Sequence, residues 1–389
     1  MRTILKCLII KIYFDNQNIW KSKQNTLKLK GSVFMNIKSL KIGNIVVPMP
    51  IIQGGMGIGV SRSKLASAVT NAGGIGVISA AQVGYDEDDF ESNNLVANIR
   101  ALKKQISLAK ESTKGGIIGV NIMVAMNNYK EHVKAAIEGG ADLIISGAGI
   151  PKDLPKLIEG FSVKIAPIVS SLKSAKVILK LWDRHDKVTP DMVIIEGPRA
   201  GGHLGFKKEN INISEEDFDK EIIDIINETK VYGEKYNKHI PVVVAGGIFD
   251  GKDIAKYLKL GADGVQMATR FVATAECDAS ESFKEAYINS KEEDIVIVDS
   301  PVGLPGRALY NSFVEETFKG KLKVEKCYRC ISHCNPKETP YCISEALING
   351  VKGNMDRALV FCGDNAHRIK KIVTVNELMK ELKEEILKA

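Results

Sequence analysis

The sequence predicts an α/β protein built as a (β/α)8 barrel, and three observations support this prediction. Short β-rich apolar runs alternate with amphipathic stretches from residue 48 onward. The runs are almost continuously apolar, which is typical of parallel strands that are buried on both faces. There are eight such runs, the number that closes a TIM barrel.

Each predicted strand ends at a glycine-rich break and is followed by a stretch of helical periodicity or by a loop. The predicted strands are Pro48–Gly54, Gly74–Ser79, Ile117–Val124, Asp142–Ser146, Lys164–Ser170, Asp191–Glu196, Pro241–Ala245 and Gly264–Ala268. The predicted helices are Ser63–Ala72, Leu95–Ser107, Tyr129–Glu138, Lys152–Glu159, Leu172–Leu181 and Asp250–Leu260. Several strands follow a Gly-Ala-Asp sequence in which the glycine ends a helix. A doubly wound open sheet is the alternative, and the even count of units favours the barrel.

The composition indicates a globular chain. Of the 389 residues, 44% are hydrophobic and 26% are charged, an ordinary balance for a globular protein. No apolar run approaches the roughly 20 residues that a membrane-spanning helix needs. The net charge of +7 is concentrated in residues 1–35, where seven basic side chains stand against Asp15, which leaves +1 for all other residues. A nearly neutral body gives no reason to expect nucleic acid as a partner.

The basic leader, residues 1–35, is expected to be disordered or dispensable. Its short apolar patch at residues 4–10 is not followed by a small-residue cleavage site, so secretion is a poor fit. Met35 lies directly before a natural domain start. We therefore expect a barrel domain over residues 36–320 and a Cys-rich, helical C-terminal extension over residues 321–389, in a cytoplasmic protein.

Four loops are expected to meet at the carboxyl ends of the strands, and three of them are rich in glycine. Loop 197–205 holds four glycines and His203, a side chain that titrates near neutral pH. Residues 53–57 follow the first strand, and the last two strands run into residues 246–248 and 266–271. Glycines let a backbone approach a flat ligand, and the loops after strands seven and eight of such barrels commonly bind phosphate. The sequence therefore predicts a phosphate-bearing cofactor, with His203 as the candidate catalytic residue.

Four segments in order resemble the nitronate monooxygenase family, formerly called 2-nitropropane dioxygenases, and its close relative, the flavin-dependent enoyl-ACP reductase. They are Pro-Ile-Ile-Gln-Gly-Gly-Met at 50–56, Gly-Val-Asn-Ile-Met at 119–123, Glu-Gly-x-x-Ala-Gly-Gly-His-x-Gly at 196–205, and Ala-Gly-Gly-Ile at 245–248 with Gln-Met-x-Thr at 266–269. The resemblance covers residues 39–320. It implies a TIM barrel that binds FMN non-covalently at its C-terminal face.

The resemblance also implies roles for individual residues. Gly55 and Met56 would lie along the isoalloxazine ring, Asn121 would hydrogen-bond to it, and His203 would face the substrate. The implied cofactor-binding set is Gln53, Gly55, Met56, Asn121, Glu196, Gly201, Gly202, Gly246, Gly247, Gln266, Met267, Ala268 and Thr269.

Four positions depart from the family pattern. Glu196 matches the reductase relatives, whereas many of the monooxygenases carry Gln. The pair Pro198-Arg199 replaces a more usual small or acidic pair, and Ala268 stands where Gly is common.

The implied activity is that of an FMN-dependent oxidoreductase that oxidises alkyl nitronates with oxygen, with His203 positioning the anion or managing its proton. Two alternatives stay open: NAD(P)H-dependent reduction of an enoyl thioester, and a non-catalytic barrel that binds flavin or phosphate. The expected partner is a small-molecule substrate, with no nucleic acid and no membrane. Whether the chain forms a homodimer also stays open.

Four cysteines of the C-terminal extension form a candidate metal site, namely Cys327, Cys330, Cys334 and Cys342. A C-x2-C pair can grip one ion from a single turn. In a chain without a secretion signal, clustered cysteines indicate metal or redox chemistry more than a disulfide framework. Four thiolates suit an iron–sulfur cluster or zinc. The alternative is a set of reduced thiols that only pack.

Two further segments after the last strand have clear patterns. Residues 300–307 are rich in turn-forming residues and are expected to fold back over the barrel mouth as a lid. Residues 372–388 are expected to form an amphipathic helix that packs on the body.

Overall fold

The eight strands expected from the sequence form one closed parallel barrel. The computed structural model describes residues 37–389. Its strands are β1 (Leu40–Ile42), β2 (Ile45–Val47), β3 (Ile51–Gln53), β4 (Gly76–Ser79), β5 (Ile118–Met123), β6 (Leu143–Gly147), β7 (Lys164–Val169), β8 (Val193–Glu196), β9 (Gly202–His203), β10 (Val242–Ala245), β11 (Gly264–Met267), β12 (Ile295–Asp299) and β13 (Pro305–Leu309). The barrel order is β3-β11-β10-β8-β7-β6-β5-β4. A parallel bridge between Ile52 and Ile75 closes the ring, so the open-sheet alternative is wrong.

Helices cover the outside of the barrel and continue beyond it. They are α1 (Ser63–Asn71), α2 (Asn94–Ser112), α3 (Tyr129–Glu138), α4 (Leu154–Leu157), α5 (Leu172–His185), α6 (Glu215–Lys235), α7 (Gly251–Lys259), α8 (Thr269–Val272), α9 (Glu281–Asn289), α10 (Ser312–Lys319), α11 (Ile343–Lys352) and α12 (Val375–Lys388). All six predicted barrel helices are present, although α4 is a single turn. Within residues 37–389, no helix combines the length and apolarity that crossing a bilayer requires.

Local sequence explains where several helices begin. The Asp250 side chain accepts hydrogen bonds from the backbone N–H groups of Lys252 and Asp253 and so caps α7. Ser171 caps α5 and Thr374 caps α12, each through a reciprocal capping box. Such caps satisfy N–H groups that the helix itself leaves unpaired.

The barrel core is apolar, and a hairpin outside the barrel extends it. Leu40 and Ile42 of β1 are fully buried in the same cluster as Ile52, Ile194 and Val243 of the barrel strands. The antiparallel pair β1–β2 therefore adds to the core without adding a barrel strand. The predicted leader, residues 1–35, lies outside the described residues.

The C-terminal residues pack on the barrel instead of forming a separate unit. Ile37–Leu387 make up one compact unit. A buried cluster joins Val60, in the loop after β3, and Val272, at the end of α8, to Val351, Val360 and Ile369. The predicted tail helix is present as α12, and Leu378 and Leu382 on its inner face are fully buried.

Candidate active site

The carboxyl ends of the barrel strands surround a cavity of about 240 Å³. Its walls come from the four predicted loops and from residues 361–365 near the C-terminus. Thirteen residues assigned from the sequence line it: Gly55, Met56, Asn121, Glu196, Gly201, Gly202, His203, Gly246, Gly247, Gln266, Met267, Ala268 and Thr269. Because active sites of this fold lie at this face, the cavity is the candidate active site.

Gln53 is the one assigned barrel residue outside the cavity wall. It is fully buried, and its side-chain amide is bonded to strand β4. Its Nε2 donates to Val77 O at 3.1 Å, and its Oε1 accepts from Val77 N at 3.0 Å. Gln53 therefore holds β3 against β4 and fixes the start of the glycine loop, and its role as a direct cofactor ligand stays a prediction.

Several lining glycines occupy positions that no side chain could fill. A Cβ on Gly55 would overlap the side chain of Asn121. Gly246 has φ +95°, and a Cβ there would lie 2.9 Å from a carbonyl oxygen of loop 197–205. Gly247 has φ +77°. Left-handed backbone at both positions favours glycine, and the result is a wall of bare backbone at the end of β10.

Gln266 carries an unsatisfied polar atom at this wall. It lies in β11 and lines the cavity. Its Oε1 is buried and has no hydrogen-bond partner among the described residues. An unpaired buried polar atom costs about 1–3 kcal/mol, so such atoms in native proteins call for a partner from a ligand or water. The atom indicates that a ligand with a hydrogen-bond donor fits here.

His203 is held in place from two sides. It lies in β9, which pairs with Gly306 of β13. Its Nε2 is hydrogen-bonded to Ser300 Oγ at 2.7 Å, and its ring meets the edge of Phe361 with centroids 5.0 Å apart. Burial lowers the pKa of His203 to about 4. The imidazole is therefore neutral at pH 7, and Nδ1 is left to meet a substrate.

Glu196 is a second titratable group that lines the cavity, and it belongs to a barrel strand. It is the last residue of β8. Burial raises the pKa of Glu196 to about 7, and no hydrogen bond or nearby charge offsets that effect. Two groups whose pKa values are pushed in opposite directions are a recurring feature of acid–base sites. The site thus combines a neutral imidazole with a carboxyl that changes charge near pH 7.

The segment 361–365 completes the cavity and was not expected from the sequence. Gly363 N donates to Thr269 Oγ1 at 3.0 Å, and Asn365 Nδ2 donates to Gly247 O at 2.6 Å. The hydroxyl of Tyr287 donates to Phe361 O. The sequence signal is an apolar run that ends in Gly-Asp-Asn, and nothing in that run indicates which barrel loop it meets.

The comparison with known proteins decides the family. The family model described as nitronate monooxygenase matches residues 38–385. The chain belongs to the nitronate monooxygenase family. A probable nitronate monooxygenase of Staphylococcus saprophyticus subsp. saprophyticus is 29% identical over 304 residues, which are 72% of this chain and 81% of that protein. A probable nitronate monooxygenase of Staphylococcus aureus (strain Newman) is 31% identical over 293 residues, 69% of this chain and 78% of that protein.

Solved structures agree with this family assignment. FabK from Thermotoga maritima superposes with a TM-score of 0.65 at 26% identity, covering 87% of this chain and 93% of that one. Nitroalkane oxidase from Streptomyces ansochromogenes gives a TM-score of 0.64 at 20% identity, with coverages of 87% and 96%, a likeness that shows the fold. As a member of the nitronate monooxygenase family the chain is an oxidoreductase, so the non-catalytic barrel is not retained.

In this family member the predicted lid, residues 300–307, packs behind the His203 loop and does not line the cavity. Strand β13 pairs with both β12 and β9. Arg307 is buried, and its Nη1 donates to Pro198 O at 2.8 Å and to Ala200 O at 2.6 Å. The segment therefore fixes the glycine loop from outside, and residues 361–365 take the covering position that the sequence assigned to 300–307.

The four cysteines do not form the predicted metal site. Among residues 37–389, no group of three or more His, Cys, Asp or Glu side chains is arranged to hold a metal ion. Cys327 is exposed, whereas Cys330, Cys334 and Cys342 are partly buried. The predicted iron–sulfur or zinc ligation is corrected accordingly, and the six cysteines of this range are free thiols.

The C-x2-C pair is tied to the barrel through its backbone. Cys330 O accepts from Asn127 N at 3.0 Å, which joins this part of the chain to the loop after β5. No helix or strand contains residues 321–330. Cys330 and Cys334 pack against the apolar cluster that includes Ile331 and Tyr341.

Proposed function

We propose that this protein is an FMN-dependent oxidoreductase that oxidises alkyl nitronates with oxygen. The observation that supports this most strongly is the cavity itself. Glycine loops from three barrel strands, a neutral histidine and an unpaired amide oxygen converge there in a member of the nitronate monooxygenase family.

The residues present fit FMN. Gly55, Gly246 and Gly247 line the cavity without side chains, so a flat ring and a phosphate can approach their backbone. Gln266 Oε1 is available to accept a hydrogen bond from the ring edge, and Asn121 lies at the same wall. Bound FMN would supply the electron-accepting and oxygen-reacting chemistry. The protein groups would bind it, orient it and limit the access of water.

His203 is proposed to hold the substrate anion. A neutral imidazole at pH 7 has one N–H donor, and a nitronate carries its negative charge on oxygen atoms that accept such a bond. The hydrogen bond to Ser300 and the edge contact with Phe361 fix the ring orientation. His203 can also hold or release a proton at the substrate carbon or oxygen.

Reduction of an enoyl thioester is the second candidate, and Glu196 favours it. The carboxyl at this position matches the reductase relatives. Burial raises the pKa of Glu196 to about 7, so it can give or take a proton at neutral pH. The same cavity would then hold the thioester, and NAD(P)H would be the electron donor.

Two measurements test the proposal. Mass spectrometry of the cofactor released on denaturation should give FMN, and FAD or no flavin would contradict the fit. Oxygen consumption should follow the addition of an alkyl nitronate. Oxidation of NAD(P)H by an enoyl thioester, without oxygen uptake on nitronates, would select the second candidate instead.

A cytoplasmic location is proposed from the thiols, since six free cysteines within the described range are typical of a reducing compartment. The homodimer stays a prediction.

A further inference from the structure

Arg199 distinguishes this cavity from the family pattern. Loop 197–205 carries Pro198-Arg199 where a small or acidic pair is more usual. Among the described residues that line the cavity, Arg199 is the one with a permanently positive side chain. The lining carboxyl groups are Glu196 and Asp364, and His203 is neutral at pH 7 because burial lowers its pKa to about 4.

The Arg199 side chain lies over the glycine wall at the end of β10. A Cβ placed on Gly247 would lie 2.8 Å from Arg199 Cβ and 3.0 Å from Arg199 Cδ. The aliphatic stem therefore packs against Gly247, beside the glycine backbone that the proposed function offers to the ring and phosphate of the cofactor. The side chain is 60% exposed, so the guanidinium can reorient without leaving the rim.

Arg199 forms a long ion pair with Asp364, and Asp364 also pairs with a second cation, Arg307. Arg199 Nε lies 3.7 Å from Asp364 Oδ2, and Arg307 Nε lies 3.7 Å from Asp364 Oδ1. Asp364 N also donates to Arg199 O at 3.2 Å. If the Arg199 side chain turned to another anion, the Asp364 carboxylate would still lie beside the Arg307 guanidinium. The carboxylate would therefore keep a cationic partner.

We infer that the Arg199 guanidinium turns away from Asp364 and binds the phosphate of the bound flavin mononucleotide. This inference rests on the proposed function. A phosphate monoester carries about −1.5 to −2 charge at pH 7, and guanidinium binds phosphate through paired, charge-assisted hydrogen bonds. Bare backbone N–H groups at Gly246 and Gly247 supply no net charge. The Arg199 guanidinium supplies the positive charge that the phosphate needs as a partner, and it therefore favours FMN over riboflavin.

Flavin titration of the full-length protein, stripped of its cofactor, tests this inference. FMN and riboflavin differ only in the phosphate, and quenching of flavin fluorescence reports the affinity for each. Arg199→Gln should weaken FMN binding about tenfold and leave riboflavin binding unchanged. Arg199→Lys should fall between wild type and Arg199→Gln, because lysine keeps the charge and loses the paired geometry.

Two variants serve as controls. Arg368→Gln removes a cation that pairs with Asp250 at 2.9 Å and does not line the cavity, and it should leave both affinities unchanged. Asp364→Asn frees Arg199 and should leave FMN binding equal or tighter.

The outcomes separate the inference from the function on which it rests. An equal loss of FMN and riboflavin binding in Arg199→Gln would show that Arg199 only shapes the cavity, and no loss would show that it does not meet the phosphate. Either result overturns the inference, as would an Asp364→Asn variant that binds FMN as weakly as Arg199→Gln. A wild-type protein that binds no flavin would instead overturn the proposed function.

Discussion

At the scale of single residues, His203 and Glu196 define what the cavity can do. Both face the cavity, and burial pushes their pKa values in opposite directions, His203 to about 4 and Glu196 to about 7. The imidazole is neutral across the ordinary working range of pH, whereas the carboxyl changes charge within it. Each group therefore makes a separate prediction.

His203→Ala should slow turnover about 10²- to 10⁴-fold, the usual contribution of a positioned acid–base group, while flavin remains bound. Steady-state rates and flavin content measured on the same sample give the result. Ser300→Ala keeps the imidazole and removes its hydrogen-bond partner, so it should cost less. Full activity in His203→Ala would show that the imidazole takes no part in turnover. Loss of flavin in this variant would show that His203 has a structural role.

The Michaelis constant for a nitronate should rise with pH through about 7. Glu196 is neutral below its pKa of about 7 and negative above it, and a negative carboxylate in the cavity repels an anionic substrate. A rise of about tenfold between pH 6 and pH 8 is the size expected for one partly desolvated charge. KM measured on freshly prepared nitronate gives this profile.

Glu196→Gln should abolish that dependence and keep the low KM, because the amide cannot ionise. Glu209→Gln, at an exposed glutamate outside the cavity, should behave as wild type. A wild-type profile in Glu196→Gln would show that another group, or the nitronate itself, causes the change.

At the scale of elements, the wall at the end of β10 depends on backbone that only glycine can supply. Gly246 combines φ +95° with a neighbouring carbonyl oxygen 2.9 Å from where a Cβ would lie. Gly160 has a similar φ of +84° but nothing within 4 Å of its Cβ position. The two positions therefore separate conformational strain from steric overlap.

Gly246→Ala should lower the free energy of unfolding by more than Gly160→Ala. Strain alone costs about 1–3 kcal/mol for a left-handed non-glycine residue, and the overlap at residue 246 adds to it. Urea unfolding measures both variants. Flavin content should fall in Gly246→Ala and stay unchanged in Gly160→Ala. Equal losses of stability in the two variants would mean that the backbone around residue 246 shifts to accept the Cβ with no free-energy penalty.

The elements that the sequence predicted are those with a local signal. Apolar runs and glycine stops predicted the barrel strands and most helices, and the glycine loops predicted the position of the cavity. Residues 361–365 meet Gly247 and Thr269, roughly 100 positions earlier in the chain, and no local pattern encodes such a contact. Gln53 is polar and lies in the motif, yet its amide is used within the sheet. The pattern cannot distinguish that use from ligand binding.

At the scale of the whole molecule, four loops of the barrel form the cavity and residues near the C-terminus complete it. The chain folds back so that β13 fixes the His203 loop and residues 361–365 cover the glycine wall. Glu196 and His203 thus come from the middle of the chain and the covering residues 361–365 from near its C-terminus, all within one compact unit. This arrangement suits the proposed function, in which the cavity holds FMN and admits a small substrate and oxygen.

Anaerobic mixing of the purified protein tests the central claim most directly. The flavin absorbance is followed after the addition of an alkyl nitronate, NADH or NADPH in separate experiments, with His203→Ala as the matched variant. The account predicts that the nitronate bleaches the flavin of the wild-type protein rapidly and that of His203→Ala slowly, while NADH and NADPH have little effect. Bleaching by NADH or NADPH with no response to the nitronate would contradict it.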